Sequence, residues 1–167
     1  MSKRFSVIPA VYLVLIDQNK VLLSLRKNTG FADGWYGLVA GHVDGGETMM
    51  QAMIREAYEE AGLKLEPKDL RMASVTHRKS DDRESADFFF LCRLSKPNLS
   101  NKEPEKCSEL KFFAVDHLPV NTIPYVQEGI RNCLSGINYS EAGWDRVWTG
   151  ANSDCGEPSN PELHSDI

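Results

Sequence analysis

Residues 41–63, GHVDGGETMMQAMIREAYEEAGL, decide how the rest of the chain is read. Thr48 suits a helix N-cap and Gly62 suits the left-handed position just past a helix, so the pattern predicts one helix between them. Met50, Met53, Ile54, Ala57 and Ala61 trace its core face. Glu56, Glu59 and Glu60 are expected on the other side, facing outward. Like charges at spacings of three and four residues repel, so the cluster has a cost that a bound cation would reverse. Three carboxylates meeting on one patch suit Mg2+, a hard ion that takes oxygen ligands and bridges to phosphates.

Upstream, VYLVLI (11–16), the polar DQNK and VLLSLR (21–26) predict a β-hairpin. WYGLVAG then reads as a short strand entering the glycine-flanked loop before the helix. Downstream, LRMASVTHR (70–78), ADFFFLCRL (86–94) and ELKFFAV read as strands, and IPYVQEGIRNCLSG as a second amphipathic helix. Strands and helices are thus interspersed, which predicts an α/β fold with a mixed sheet between helices. YSEAGW (139–144) and RVW carry no chemistry, and packing of Trp144 or Trp148 on the domain is the simple reading. The expected organisation is a domain over 1–137, an extension over 138–150 packed on it, and a flexible tail over 151–167.

At 167 residues, 41% apolar and 26% charged, the composition is that of an ordinary globular domain. The formal net charge of −5 argues against a nucleic-acid polymer as partner, because neutralising phosphates needs clustered Lys and Arg. Lys3 and Arg4 before an apolar run imitate a secretion signal, but Pro9 interrupts it and Asp17 ends it, so a buried strand is expected. No stretch reaches the roughly 20 apolar residues of a membrane span. Cys92, Cys107, Cys133 and Cys155 are scattered, which suits reduced thiols and a cytoplasmic location.

Gly41, Glu47, Arg55, Glu56, Glu59, Glu60 and Gly62 stand in a register that resembles the Nudix box, G-x5-E-x7-R-E-U-x-E-E-x-G-U. Ala57 is the one departure, at an aliphatic position. The resemblance implies the Nudix α/β/α sandwich and a pyrophosphohydrolase acting on a nucleoside diphosphate linked to another group. It further implies Glu56, Glu59 and Glu60 as catalytic metal ligands with the Gly41 carbonyl, and Mg2+ as cofactor with Mn2+ as a substitute. Glu47, Arg55 and Gly62 become structural supports of the site, Arg55 holding Glu47. Glu59 or Glu56 is the expected general base, with Glu105 as a rival from a loop.

Substrate letters lie outside the box. NKEPEKCSELKFFAVDHLP (101–119) resembles Nudix proteins that hydrolyse nucleoside triphosphates, with Phe112 or Phe113 where many carry Trp. Asn121 resembles an asparagine that reads a purine edge, or else caps the helix that follows. Arg26 stands where related sequences keep a phosphate-side base, and Glu103 or Glu105 would bring one more carboxylate. His42 replaces glycine and Ala40 replaces proline in the loop, and Phe88 or Phe90 would line the pocket. A small nucleotide, first a nucleoside triphosphate with a modified purine in view, is therefore the expected partner. A nucleotide sugar, ADP-ribose or a dinucleotide polyphosphate is the alternative. A non-catalytic Nudix-like nucleotide sensor is the rival from another class, although such a module would be expected to lose part of the acid set. An isopentenyl diphosphate isomerase would need a cysteine that 27–46 lacks. A homodimer is left open.

Overall fold

In the computed structural model, residues 5–145 are described. The apolar run near the start is β1 (Ile8–Asp17), whose residues are buried on both faces from Ala10 to Ile16. That two-sided burial explains a continuous apolar string where a half-exposed strand would alternate. β1 turns at Gln18 and Asn19 into β2 (Lys20–Arg26), with Asp17 opposite Lys20. The single strand expected from WYGLVAG is two: β3 (Tyr36–Gly37) pairs with β2, and β4 (Val39–His42) pairs with β1.

Helix α1 (Met49–Ala61) has the predicted ends. The Thr48 hydroxyl accepts from Gln51 N, the Gln51 side chain returns a bond to Thr48 N, and Gly62 closes the helix at φ 67°. A short 3-10 turn at Pro67–Asp69 leads to β5 (Leu70–Lys79), antiparallel to β6 (Glu84–Arg93), which runs parallel to β1. β7 (Cys107–Ala114) covers the outer edge of β2, and α2 (Pro124–Ser135) follows. β8 (Tyr139–Ala142), where only packing was expected, joins the sheet parallel to β5. Among the described residues these elements form an eight-stranded mixed sheet with a helix on each face, the α/β/α sandwich expected.

Alternate residues of β1 divide two cores, as the two-residue period of a strand requires. Val11, Leu13 and Leu15 pack with Ala52, Met53, Ala57 and Ala61 of α1. Tyr12, Val14 and Ile16 pack with Val126, Ile130 and Cys133 of α2. The small Ala57, anomalous in the motif, is fully buried here, where α1 crosses the sheet. Phe88, Phe89 and Phe90 are spent on these cores, Phe89 stacked on Tyr12 at 4.8 Å. Trp148 and the 151–167 tail lie outside the described residues.

Candidate active site

The acids do not face outward as the periodicity suggested. Glu59 is exposed, but Glu56 and Glu60 are partly buried against β4. A polar helix position shows only that its side chain avoids the core; here it meets the backbone of a strand. A Cβ on Gly41 would lie 1.9 Å from Glu56 Oε1, so glycine is what admits the carboxylate to this strand. Ala40 N donates to Glu60 Oε2 at 3.3 Å. Burial, reinforced by the charge of Glu56, pushes the Glu60 carboxyl up to about 8. Burial also raises Glu56, against the lowering influence of Arg55.

Arg55 braces the loop between β4 and α1. Its Nη2 and Nε take Glu47 Oε1 and Oε2 at 2.6 and 3.1 Å, and Nη2 also reaches the His42 carbonyl at 3.1 Å. Asp44 N donates to the same Glu47 carboxylate at 2.8 Å. The two-pronged contact holds Glu47 below the usual carboxylate range and raises Arg55 above its own. Arg55 Nη1 meanwhile takes Glu56 Oε1 at 2.7 Å and Glu59 Oε2 at 3.1 Å. With the guanidinium between them, no three His, Cys, Asp or Glu side chains among the described residues converge as a preformed cation cluster. His42 contributes its carbonyl rather than its ring, which is exposed.

Of the residues assigned to substrate, Arg26 is well placed and two others are not. Arg26 lines both a cavity of about 640 Å3 that adjoins Ala40 and Gly41 and a smaller one of about 210 Å3 that contains Glu60. Its Nε donates to the Phe31 carbonyl and its Nη2 to Thr29 Oγ1. Glu105 is exposed and offers only its backbone carbonyl, to Asn28 Nδ2. Glu103, two residues earlier, lines the Glu60 cavity and bonds Lys106 Nζ at 2.9 Å. The turn decides this: Asn101 Oδ1 holds Glu103 N, and the Glu103 carbonyl takes Lys106 N and Cys107 N. Asn121 neither caps α2, whose N-cap is Ile123, nor lines these cavities; its Nδ2 donates to the Gly34 carbonyl at 2.8 Å. It ties the loop after β2 to the segment before α2.

The large cavity draws on residues the sequence did not mark. Arg78, Ser85, Tyr12 and Tyr125 come from β5, β6, β1 and α2. One signal existed: Asp87, which holds Arg78, is a charged residue inside the apolar run ADFFFL, and it is fully buried.

A model of the NUDIX domain matches residues 7–133, which spans all the strands above except β8. The chain belongs to the NUDIX domain family. Among curated relatives, an ADP-ribose pyrophosphatase of Methanocaldococcus jannaschii is 31% identical over 113 residues, 66% of this chain and 65% of that protein. An NAD-capped RNA hydrolase, NudC, of Shigella dysenteriae is 28% identical over 116 residues, 70% of this chain and 42% of that one. The chain thus spans less than two thirds of either relative. A MutT NUDIX hydrolase structure from Burkholderia pseudomallei superposes with a TM-score of 0.69 at 22% identity, covering 76% of this chain and 98% of that one. A bifunctional NMN adenylyltransferase/ADP ribose pyrophosphatase from Francisella tularensis gives 0.65 at 18%, covering 82% and 43%. These two likenesses speak for the Nudix fold. Cys92, Cys107 and Cys133 are free, and no helix among the described residues is long and apolar enough to cross a membrane.

Proposed function

We propose that this Nudix protein hydrolyses the pyrophosphate bond of a nucleoside diphosphate linked to a further group X, with Mg2+ or Mn2+ as its cation. The observation that carries the reading is the bare contact between the Gly41 backbone and the Glu56 carboxylate, with Glu60 buried beside it. The Glu56 carboxylate lies against the Gly41 backbone because no side chain stands there, and an all-oxygen set of donors from β4 and α1 would suit a hard cation. Glu56, Glu59, Glu60 and the Gly41 carbonyl would hold it. Bound there, the ion supplies charge neutralisation at the phosphates and makes the attacking water more acidic. Arg55 and Glu47 keep loop 42–48 in register with α1, and Glu59, the most exposed acid, accepts the water's proton.

For X, a sugar is favoured over a third phosphate. Around the large cavity, Arg26 spends its Nε and Nη2 on Phe31 and Thr29, Arg78 its Nε on Asp87, and Arg83 lies 3.6 Å from Asp82, so each cation has part of its donor set directed at the protein. The purine-triphosphate expectation leaned on Asn121, whose Nδ2 is turned to the Gly34 carbonyl and which lines neither cavity. The relative named for ADP-ribose points the same way. The experiment is a panel of ADP-ribose, a nucleotide sugar, a dinucleotide and nucleoside triphosphates with Mg2+, scored for nucleoside monophosphate release. ADP-ribose or the nucleotide sugar turning over fastest is the expected result. No turnover of any member would leave a nucleotide-binding module instead, and a clear preference for a triphosphate would overturn the choice of X.

A further inference from the structure

Strand β7 lies at the sheet edge: β2 pairs with it on one side, and among the described residues no strand pairs with the other. A row of unpaired N–H and C=O groups is a template for a further strand. Val115 N donates to the Asn19 carbonyl, and backbone groups alternate in direction along a strand. In the β2 register, Glu109, Lys111 and Phe113 therefore turn their backbone to β2, and Leu110, Phe112 and Ala114 turn theirs outward. This open edge is eight residues long, against four in β8. Leu110, Phe112 and Phe113 are only partly buried along it, so a neighbouring strand would complete their cover.

A charged side chain, most often lysine, is how an edge is kept from pairing, and Lys111 is exposed. Here the charge is not alone. Glu109, two residues earlier, projects from the same face of the strand. Among the described residues neither is in an ion pair: Tyr36 OH donates to Glu109 Oε1, and Lys111 Nζ lies 5.3 Å from the Phe113 ring centroid. Two copies of β7, run antiparallel about a two-fold axis at Leu110, set Glu109 of each opposite Lys111 of the other. The same register brings the outward backbone of Leu110 against itself, where the two chains can exchange hydrogen bonds. Moving the axis by one residue sets Lys111 against Lys111 or Glu109 against Glu109, and like charges directly opposite destabilise a strand pair. The charge pattern thus selects one register, and a two-fold pairing consumes both edges and stops at two copies.

We infer that the free edge of β7 is a homodimer interface, formed by antiparallel pairing with a second copy in the register that sets Glu109 against Lys111. This association is independent of the hydrolysis proposed above. One strand edge covers less than a standard interface of about 1,600 Å2, so the dimer is weak, with a Kd on the order of 10–100 µM. Sedimentation velocity of the full chain from about 5 to about 500 µM should show a monomer passing into a dimer. Lys111→Glu leaves Glu109 facing a carboxylate, and Glu109→Lys leaves Lys111 facing an ammonium. Each variant alone should raise the dimer Kd about tenfold or more, and an equimolar mixture of the two should recover a dimer of near wild-type affinity. Should Glu109→Lys unfold, as its melting curve would reveal, Glu109→Gln replaces it: it keeps an acceptor for Tyr36, removes the charge and should weaken the dimer about threefold. A monomer at every concentration, a dimer indifferent to Lys111→Glu or Glu109→Gln, or two folded charge variants that do not recover on mixing would overturn the inference.

Discussion

Replacing Gly41 by alanine separates the geometry of the acid site from the stability of the fold. An added Cβ would lie 1.9 Å from Glu56 Oε1, 2.1 Å from its Cδ and 2.6 Å from Oε2, where ordinary contact begins at 3.4 Å. The Glu56 carboxylate must therefore retreat by about 1.5 Å, because the strand backbone is fixed on one side by the β1 register of Val11 with Gly41. The atoms that must move are the far end of a flexible side chain, and Arg55 remains anchored by Glu47, so the fold should tolerate the change. A displacement of about 1 Å at reacting groups lowers rates on the order of 100-fold. Gly41→Ala is thus expected to lower kcat for Mg2+-dependent AMP release from ADP-ribose about 100-fold, with the melting temperature within about 3 °C of wild type. A kcat within about threefold of wild type would refute the assignment of Glu56 to the reacting site.

Other changes act on the fold that carries the site. Gly129→Ala places a Cβ 2.2 Å from Phe89 Cε1; overpacking of about 1–3 kcal/mol should exceed the roughly 1 kcal/mol helix-propensity gain, and the melting temperature should fall by several degrees. Thr48→Ala removes the hydroxyl that accepts from Gln51 N and should cost about 1 kcal/mol, read as a lower urea midpoint. Because Arg55 depresses the Glu47 carboxyl, that pair stabilises the fold above the usual carboxylate value of 4.5 and ceases to do so as pH falls through the lowered folded value. Glu47→Gln should therefore flatten the acid-side decline in unfolding midpoint, with no effect near neutral pH on its slope.

What the sequence disclosed was local. The caps of α1 and the β1–β2 hairpin depend on residues within a few positions of one another, and both stand where the letters placed them. The acid triplet was legible as a group, but its orientation was not, since a polar face looks the same whether it meets solvent or the backbone of β4. Glu103 rather than Glu105 lines the Glu60 cavity because one turn, tied by Asn101, aims it there. The far end of the large cavity was the least legible: Ser85 and Arg78 face each other across the β5–β6 hairpin, but the strand carrying Tyr12 reaches them only through the parallel β1–β6 register, across a long sequence separation. β8 is four residues without strong alternation, and its partner β5 ends 60 residues earlier.

The most direct test of the acid site is steady-state AMP release from ADP-ribose as Mg2+ is titrated, in wild type, Glu56→Gln and Glu60→Gln. Turnover should saturate with Mg2+, vanish with chelator, and fall about 100-fold or more in each variant while their melting curves stay close to wild type. Turnover that is indifferent to the cation, or that survives both substitutions at the wild-type rate, would contradict the acid-site assignment.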